Sequence, residues 1–101
     1  LEPYVTAETL QSQTRKWLEQ IQPFNLHEMA LDRGACALLV IDMQRFFLDH
    51  DSPTFTCGGL AVLPTIQRVV SAFRKANRPV IFTRHVHHPG DLDSGIMGWW
   101  W

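Results

Sequence analysis

Charge of one sign is what this sequence most plainly lacks. Nine Lys and Arg against ten Asp and Glu leave a formal net charge of −1. There is no basic footprint for a nucleic acid or an anionic membrane, and neither is expected as a partner. Five histidines raise that charge only at acid pH, below ~6.5. Long apolar runs are missing too. No stretch approaches the ~20 residues of a membrane span, and no basic segment followed by an apolar one opens the chain. Cysteine is scarce: Cys36 and Cys57 are compatible with one bridge but not with a disulfide framework. Reduced thiols in a cytoplasmic protein are the expectation. Internal repeats and low-complexity tracts are absent as well.

What is present is the composition of a globular protein, 46% apolar and 19% charged over 101 residues. A chain of that length makes at most one small domain, which buries roughly 60–70% of its unfolded surface. Leu10, Trp17, Leu18 and Ile21 recur at helical spacing. They predict a helix over 7–21 with Thr6 as N-cap and Pro23 beyond its end. Phe24 to Gly34 reads as an irregular arm laying Leu26, Met29 and Leu31 over the body of the domain.

Cys36–Ile41 reads as a strand, and Ala37 to Ile41 within it is apolar at every position. A run of that kind suits a strand covered on both faces, as in a parallel α/β sheet. A long loop is expected over 43–59, with Asp49, Asp51, Ser52, Pro53 and the Gly58-Gly59 pair as turn formers. A helix is expected over 61–76, with Pro64 in its first turn and Leu63, Ile66, Val69, Val70 and Phe73 as its apolar stripe. Asn77-Arg78-Pro79 closes it, and Val80-Ile81-Phe82-Thr83 forms a second short strand. Together these make one βαβ unit with parallel strands.

Two parallel strands leave both faces and both edges of a sheet uncovered. The last three residues are tryptophans with large areas to bury. The expectation is an N-terminal part of a larger domain, completed by further chain.

Asp42 falls where the first strand ends, and ligands of α/β sheets bind outside the carboxyl ends of the strands. By spacing alone it is equally a proton-handling carboxylate and an Asp that caps the next turn. Phe46 and Phe47 beside it suit an apolar pocket wall. Cys57, in Thr56-Cys57-Gly58-Gly59, is drawn easily as a nucleophile but reads better as a packed cysteine near a helix start. Cys36 reads as a small core residue. His85, His87 and His88 form the most metal-like cluster. Completing a site would need Asp91 or Asp93, and hydrogen-bonding or substrate-facing roles suit these histidines better. Asp49-His50-Asp51 reads as solvated turn residues. The Trp99–Trp101 run suits a pocket wall, a subunit contact or core.

Val40-Ile41-Asp42-Met43-Gln44, with Phe47 five positions after the Asp, resembles the opening motif of the isochorismatase-like cysteine hydrolases. Phe46 stands where many members carry another Asp. Pro79 to His85 resembles the family's next strand and loop, and Asp93 to Trp100 a loop of some members. The resemblance covers roughly Cys36 to Trp101. It implies a three-layer α/β/α sandwich around a mostly parallel, Rossmann-like sheet, of which this chain carries the first βαβ unit. Residues 1–34 are then an N-terminal helix and arm, and 35–101 the N-terminal half of the hydrolase domain.

The family's triad is Asp, Lys and Cys, and the resemblance places the Asp on Asp42. The segments that carry the Lys and the Cys do not occur in these residues. The implied activity is cleavage of a C–N bond in a small amide or carbamoyl substrate. The alternatives are an isochorismatase-type vinyl-ether hydrolase without the Cys, and a non-catalytic assembly module. In the nicotinamidase branch an Asp-x-His near His85 helps bind a divalent ion. The corresponding pair here is His85 and His87, so that Asp is missing. The candidate set is Asp42 as catalytic residue and Gln44, Phe47, His85 and Trp100 as substrate-binding residues. No cofactor or metal is expected. The expected partners are a small-molecule substrate, the C-terminal half of the same domain and further copies of the chain.

Overall fold

The computed structural model describes residues 4–27, 29–86 and 88. The expectations placed on His87, Asp91, Asp93 and Trp99–Trp101, Trp100 included, lie outside the described residues. The elements are α1 (Leu10–Ile21), a 3-10 turn (Gln22–Phe24), β1 (Leu38–Val40), α2 (Arg45–Leu48), α3 (Cys57–Lys75) and β2 (Val80–Phe82). β1 and β2 pair in parallel, with Leu38 opposite Val80, Leu39 opposite Ile81 and Val40 opposite Phe82. α3 is the crossover between them, as the alternation of apolar run and helical stripe predicts. The result is part of an α/β fold: helices and a two-stranded parallel sheet.

The first strand is shorter than the apolar run because β2 offers only three paired residues. Less regular bonds extend the pairing, from Leu38 N–H to Pro79 O at 2.9 Å, Thr83 N–H to Val40 O at 3.0 Å and Asp42 N–H to Thr83 O at 3.3 Å. Strand side chains alternate between faces. Val40 is buried, and α3, which packs on both strands, carries half-buried Ile66, Val69 and Phe73. Leu39, Ile41 and Ile81 stay 51%, 61% and 51% exposed, and Phe82 opposite Val40 stays 58% exposed, so among the described residues the expected cover on both faces is incomplete.

α1 begins at Leu10, three residues later than the spacing suggests, and Thr9 holds its N-cap position. Thr6 nevertheless closes the turn before it. Its hydroxyl accepts from Thr9 N–H at 3.3 Å while Thr6 N–H donates to Thr9 Oγ1 at 2.9 Å, the reciprocal logic of a capping box. A hydrogen bond from the Thr6 side chain also holds the Glu8 carboxyl below its ordinary range. The arm does not lie over the body: Phe24, Leu26, Met29 and Leu31 are all exposed, Met29 at 87%. The segment is tied down at its two ends instead. Val5 is buried, as is Ala61 of α3, and the Arg78 guanidinium donates to the Gly34 carbonyl.

α3 starts at Cys57, not near Ala61, and takes in the two glycines expected to form a turn. Gly59 is there for close approach, whereas Gly58 faces only the movable end of a side chain. A Cβ on Gly58 would stand 2.5 Å from the Tyr4 hydroxyl, and one on Gly59 would stand 2.7 Å from Leu48 Cδ2. Pro64 therefore falls inside the helix, not in its first turn, and leaves the Leu60 carbonyl without its helical donor. At the other end Asn77 takes φ 53°. Arg78 N–H reaches Phe73 O at 2.8 Å and Asn77 N–H reaches Arg74 O at 3.0 Å, a Schellman ending. Among the described residues no helix is long and apolar enough to cross a membrane.

Candidate functional site

The site is built where β1 and β2 end, from two loops that lie far apart in sequence. Asp42, half-buried, follows β1 with φ 51°. Asp visits this left-handed region more readily than most residues because its short polar side chain bonds locally. Here the partner is Thr83, just after β2. The Thr83 hydroxyl donates to Asp42 Oδ1 at 3.1 Å and accepts from Asp42 N–H at 3.3 Å. Asp42 Oδ2 has no bond among the described residues, and no cation there lies within ion-pairing distance of the carboxylate.

The turn at Asp42 interrupts the sheet, and Gln44 repairs it. In a regular parallel ladder the next two bonds would run from His85 N–H to Asp42 O and from Gln44 N–H to His85 O. Gln44 N–H instead donates to Asp42 O at 2.8 Å, closing the turn. The Gln44 side chain takes both vacated places. Its Oε1 accepts from His85 N–H at 2.9 Å, and its Nε2 donates to His85 O at 3.2 Å. Both ends of the carboxamide are therefore engaged by backbone, and Gln44 fixes the position of His85.

Beyond Gln44 the chain makes the single turn of α2, where a loop was expected. A row of hydroxyls satisfies its carbonyls. Those of Ser52 and Thr54 donate to Phe46 O, the latter at 2.8 Å. Thr56 donates to Phe47 O through N–H at 2.9 Å and Oγ1 at 3.2 Å. Phe46 and Phe47 meet edge to face at 5.2 Å. Phe46 lines an open cleft of about 420 Å³ with Arg45, Asp49, Asp51, Ser52 and Pro53. A second cleft, about 250 Å³, runs between β1 and α3 and is lined by Ile41 and Met43 on either side of Asp42. Apart from Thr65 its walls are apolar: Leu38, Leu39, Val40, Ile66 and Val69.

Asp42, Gln44 and His85 are brought together. Phe47 lies one turn on, and Trp100 is outside the described residues. Asp49, His50 and Asp51 are exposed turn residues. Asp49 pairs with Arg45 at 3.2 Å, and His50 rests on Phe55 at 4.4 Å. Both cysteines are free thiols, with Cys57 the half-buried first residue of α3. Cys36 is likewise half-buried, not a core residue, its thiol bonded to Arg33 O at 3.6 Å. Among the described residues no three His, Cys, Asp or Glu side chains gather to hold a metal. Thr83 is the residue that sequence reasoning missed. The available signal was a hydroxyl at the end of the second strand, level with the carboxylate at the end of the first.

Comparison with known proteins bears on the family of the chain. A family model described as the isochorismatase domain matches residues 36–101. Among curated proteins, nicotinamidase 3 of Arabidopsis thaliana is 38% identical over 64 residues, which is 63% of this chain and 28% of that protein. The chain thus spans less than a third of the length of that relative. No solved structure matches.

Proposed function

Because the chain belongs to the isochorismatase family, we propose that it supplies the proton-handling carboxylate of a hydrolase that cleaves the C–N bond of a small amide or carbamoyl substrate. The observation that carries this reading is Asp42 itself. It sits beyond the carboxyl end of β1 in a positive-φ turn, with Oδ1 held by Thr83 and Oδ2 unengaged among the described residues. Strain of this kind at a strand end accompanies functional sites. Similarity to a protein named as a nicotinamidase favours an amide over a vinyl ether.

In the proposed reaction, Oδ2 of Asp42 takes the proton of a thiol supplied by chain outside these residues. The thiolate adds to the substrate carbonyl, and the tetrahedral adduct collapses as the amine leaves with the proton from Asp42. Asp42 then takes a proton from the water that attacks the thioester, and the acid departs as the thiol is restored. A lysine, also outside these residues, keeps the carboxylate ionised. Phe47, Trp100 and the His85 imidazole contact substrate, and Gln44 acts by setting His85 in place. The enzyme so described is a cytoplasmic homo-oligomer that needs no cofactor; that Cys36 and Cys57 are both free thiols supports a reducing compartment.

The test is Asp42→Asn in the intact protein, assayed by ammonia release from nicotinamide and from N-carbamoyl compounds. Turnover is expected to fall by at least ~10², the usual worth of a positioned base. Near-normal turnover would refute the assignment.

A further inference from the structure

We propose that Thr83 is the positioning residue for the Asp42 carboxylate, through a hydroxyl that closes on the backbone and the side chain of Asp42 together; this rests on Asp42 being the proton-handling group. A hydroxyl has one proton and two lone pairs. Here the proton goes to Asp42 Oδ1 at 3.1 Å and a lone pair receives Asp42 N–H at 3.3 Å. The same N–H also faces the Thr83 carbonyl at 3.3 Å. One residue therefore holds two groups of Asp42 in register, its amide and its carboxylate, the amide through both the hydroxyl and the carbonyl of Thr83.

That grip has a direct chemical consequence. A carboxylate on an unsupported side chain turns about two bonds, and either oxygen meets the reacting proton at random. With Oδ1 committed to Thr83, the plane of the carboxylate is set and Oδ2 alone is presented. Thr suits this task better than Ser, because β-branching restricts its own χ1. The hydroxyl also supports the φ 51° of Asp42, which places the carboxylate out of line with the strand. Thr83 itself needs no contact with substrate.

The experiment compares Thr83→Val, Thr83→Ser and Asp42→Asn in the intact protein. Thr83→Val keeps the shape and loses the hydroxyl. It is expected to lower kcat about 10- to 100-fold, the effect of a reacting group displaced by up to about an ångström. KM is expected to change less than about twofold, since a group acting only on the reacting step leaves binding alone. Thr83→Ser restores the hydroxyl and is expected to recover kcat to within a few-fold. In the Thr83→Val/Asp42→Asn double variant, kcat should be no lower than in Asp42→Asn alone, because Thr83 acts through Asp42. Should Thr83→Val fail to fold, Thr83→Ser against Thr83→Ala makes the same comparison of hydroxyl with none. The proposal is overturned if Thr83→Val or Thr83→Ala turns over like the parent, if Ser is as slow as Val or Ala, or if the double variant loses activity additively. An active Asp42→Asn overturns the reading of Asp42 as well. An inactive Asp42→Asn beside a fully active Thr83→Val overturns the role of Thr83 alone.

Discussion

Replacing Gln44 tests whether a side chain has taken over two rungs of the sheet. Gln44→Ala removes both bonds to the His85 backbone. Each is a neutral hydrogen bond worth ~0.5–1.5 kcal/mol net. His85 is exposed, so water re-solvates its freed backbone groups, and the loss should stay near 1–2 kcal/mol rather than reach the cost of buried unpaired groups. Gln44→Glu is the sharper variant. Its carboxylate can accept from His85 N–H but cannot donate to His85 O, so one bond becomes an oxygen–oxygen contact. The neutral acid can make both bonds. Folding therefore raises the pKa of the introduced group above an unfolded value near ~4.3. A raised folded pKa gives a contribution fully present below that value and lost as pH rises through the folded one. Gln44→Glu should approach the parent below about pH 4 and fall behind it at neutral pH. Urea denaturation with unchanged m-value reads the stability. Amide exchange at His85 reads the local opening, expected to speed up ~5–30-fold in Gln44→Ala. Unchanged exchange at His85, or a Gln44→Glu variant that matches the parent at neutral pH, would refute the substitution of side chain for backbone.

Two further outcomes rest on packing and backbone conformation. Gly58→Ala meets only the end of the exposed Tyr4 side chain, which can swing aside, so the ~1 kcal/mol helix preference of Ala should leave it neutral or stabilised. Gly59→Ala meets Leu48 Cδ2 at 2.7 Å and Thr56 Oγ1 at 2.9 Å. That hydroxyl is held by Phe47 O, so overpacking of ~1–3 kcal/mol should outweigh the helix gain. Equal denaturation midpoints for the two variants would contradict this reading of the glycines. At the end of α3, Asn77→Gly should change stability by only a few tenths of a kcal/mol, whereas Asn77→Val should lose ~1–2 kcal/mol because a β-branched residue resists φ 53°. Thermal melts of the pair decide it.

The elements that a local pattern defines were legible in the sequence. The apolar run ending at Ile41 and the stripe from Leu63 to Phe73 each signal an element type, and both types formed, the strand only over Leu38–Val40 and the helix already from Cys57. Where an element starts depends on what it meets. Gly58 and Gly59 punctuate by propensity, yet here both lie inside α3, where Gly59 lets the helix start approach Leu48 and Thr56. α2 exists because Ser52, Thr54 and Thr56 return to the carbonyls of Phe46 and Phe47, contacts that no helical period signals. The arm is the opposite case. Leu26, Met29 and Leu31 are apolar, but a pattern states only that a residue avoids water, and among the described residues these three remain exposed.

The candidate site divides along the same line, and the division explains its spacing. Asp42 was legible because a strand's end is a local feature and the crevice beyond it follows from the sheet. Its positive φ was not, and the rest depends on that turn. A chain that bends at Asp42 commits the Asp42 carbonyl to Gln44 N–H, so the ladder bonds to His85 N–H and C=O must come from elsewhere. Repair needs one donor and one acceptor, coplanar and a peptide's width apart, carried on a side chain long enough to reach across to the neighbouring strand's loop. Asn offers the groups without the length, and Glu the length without the donor. Gln two residues after the turning Asp meets both requirements. The Asp-x-Gln spacing, legible at first only as a resemblance, thus has a physical cause in this chain: the backbone leaves the sheet at Asp42, and Gln44 keeps the sheet closed behind it.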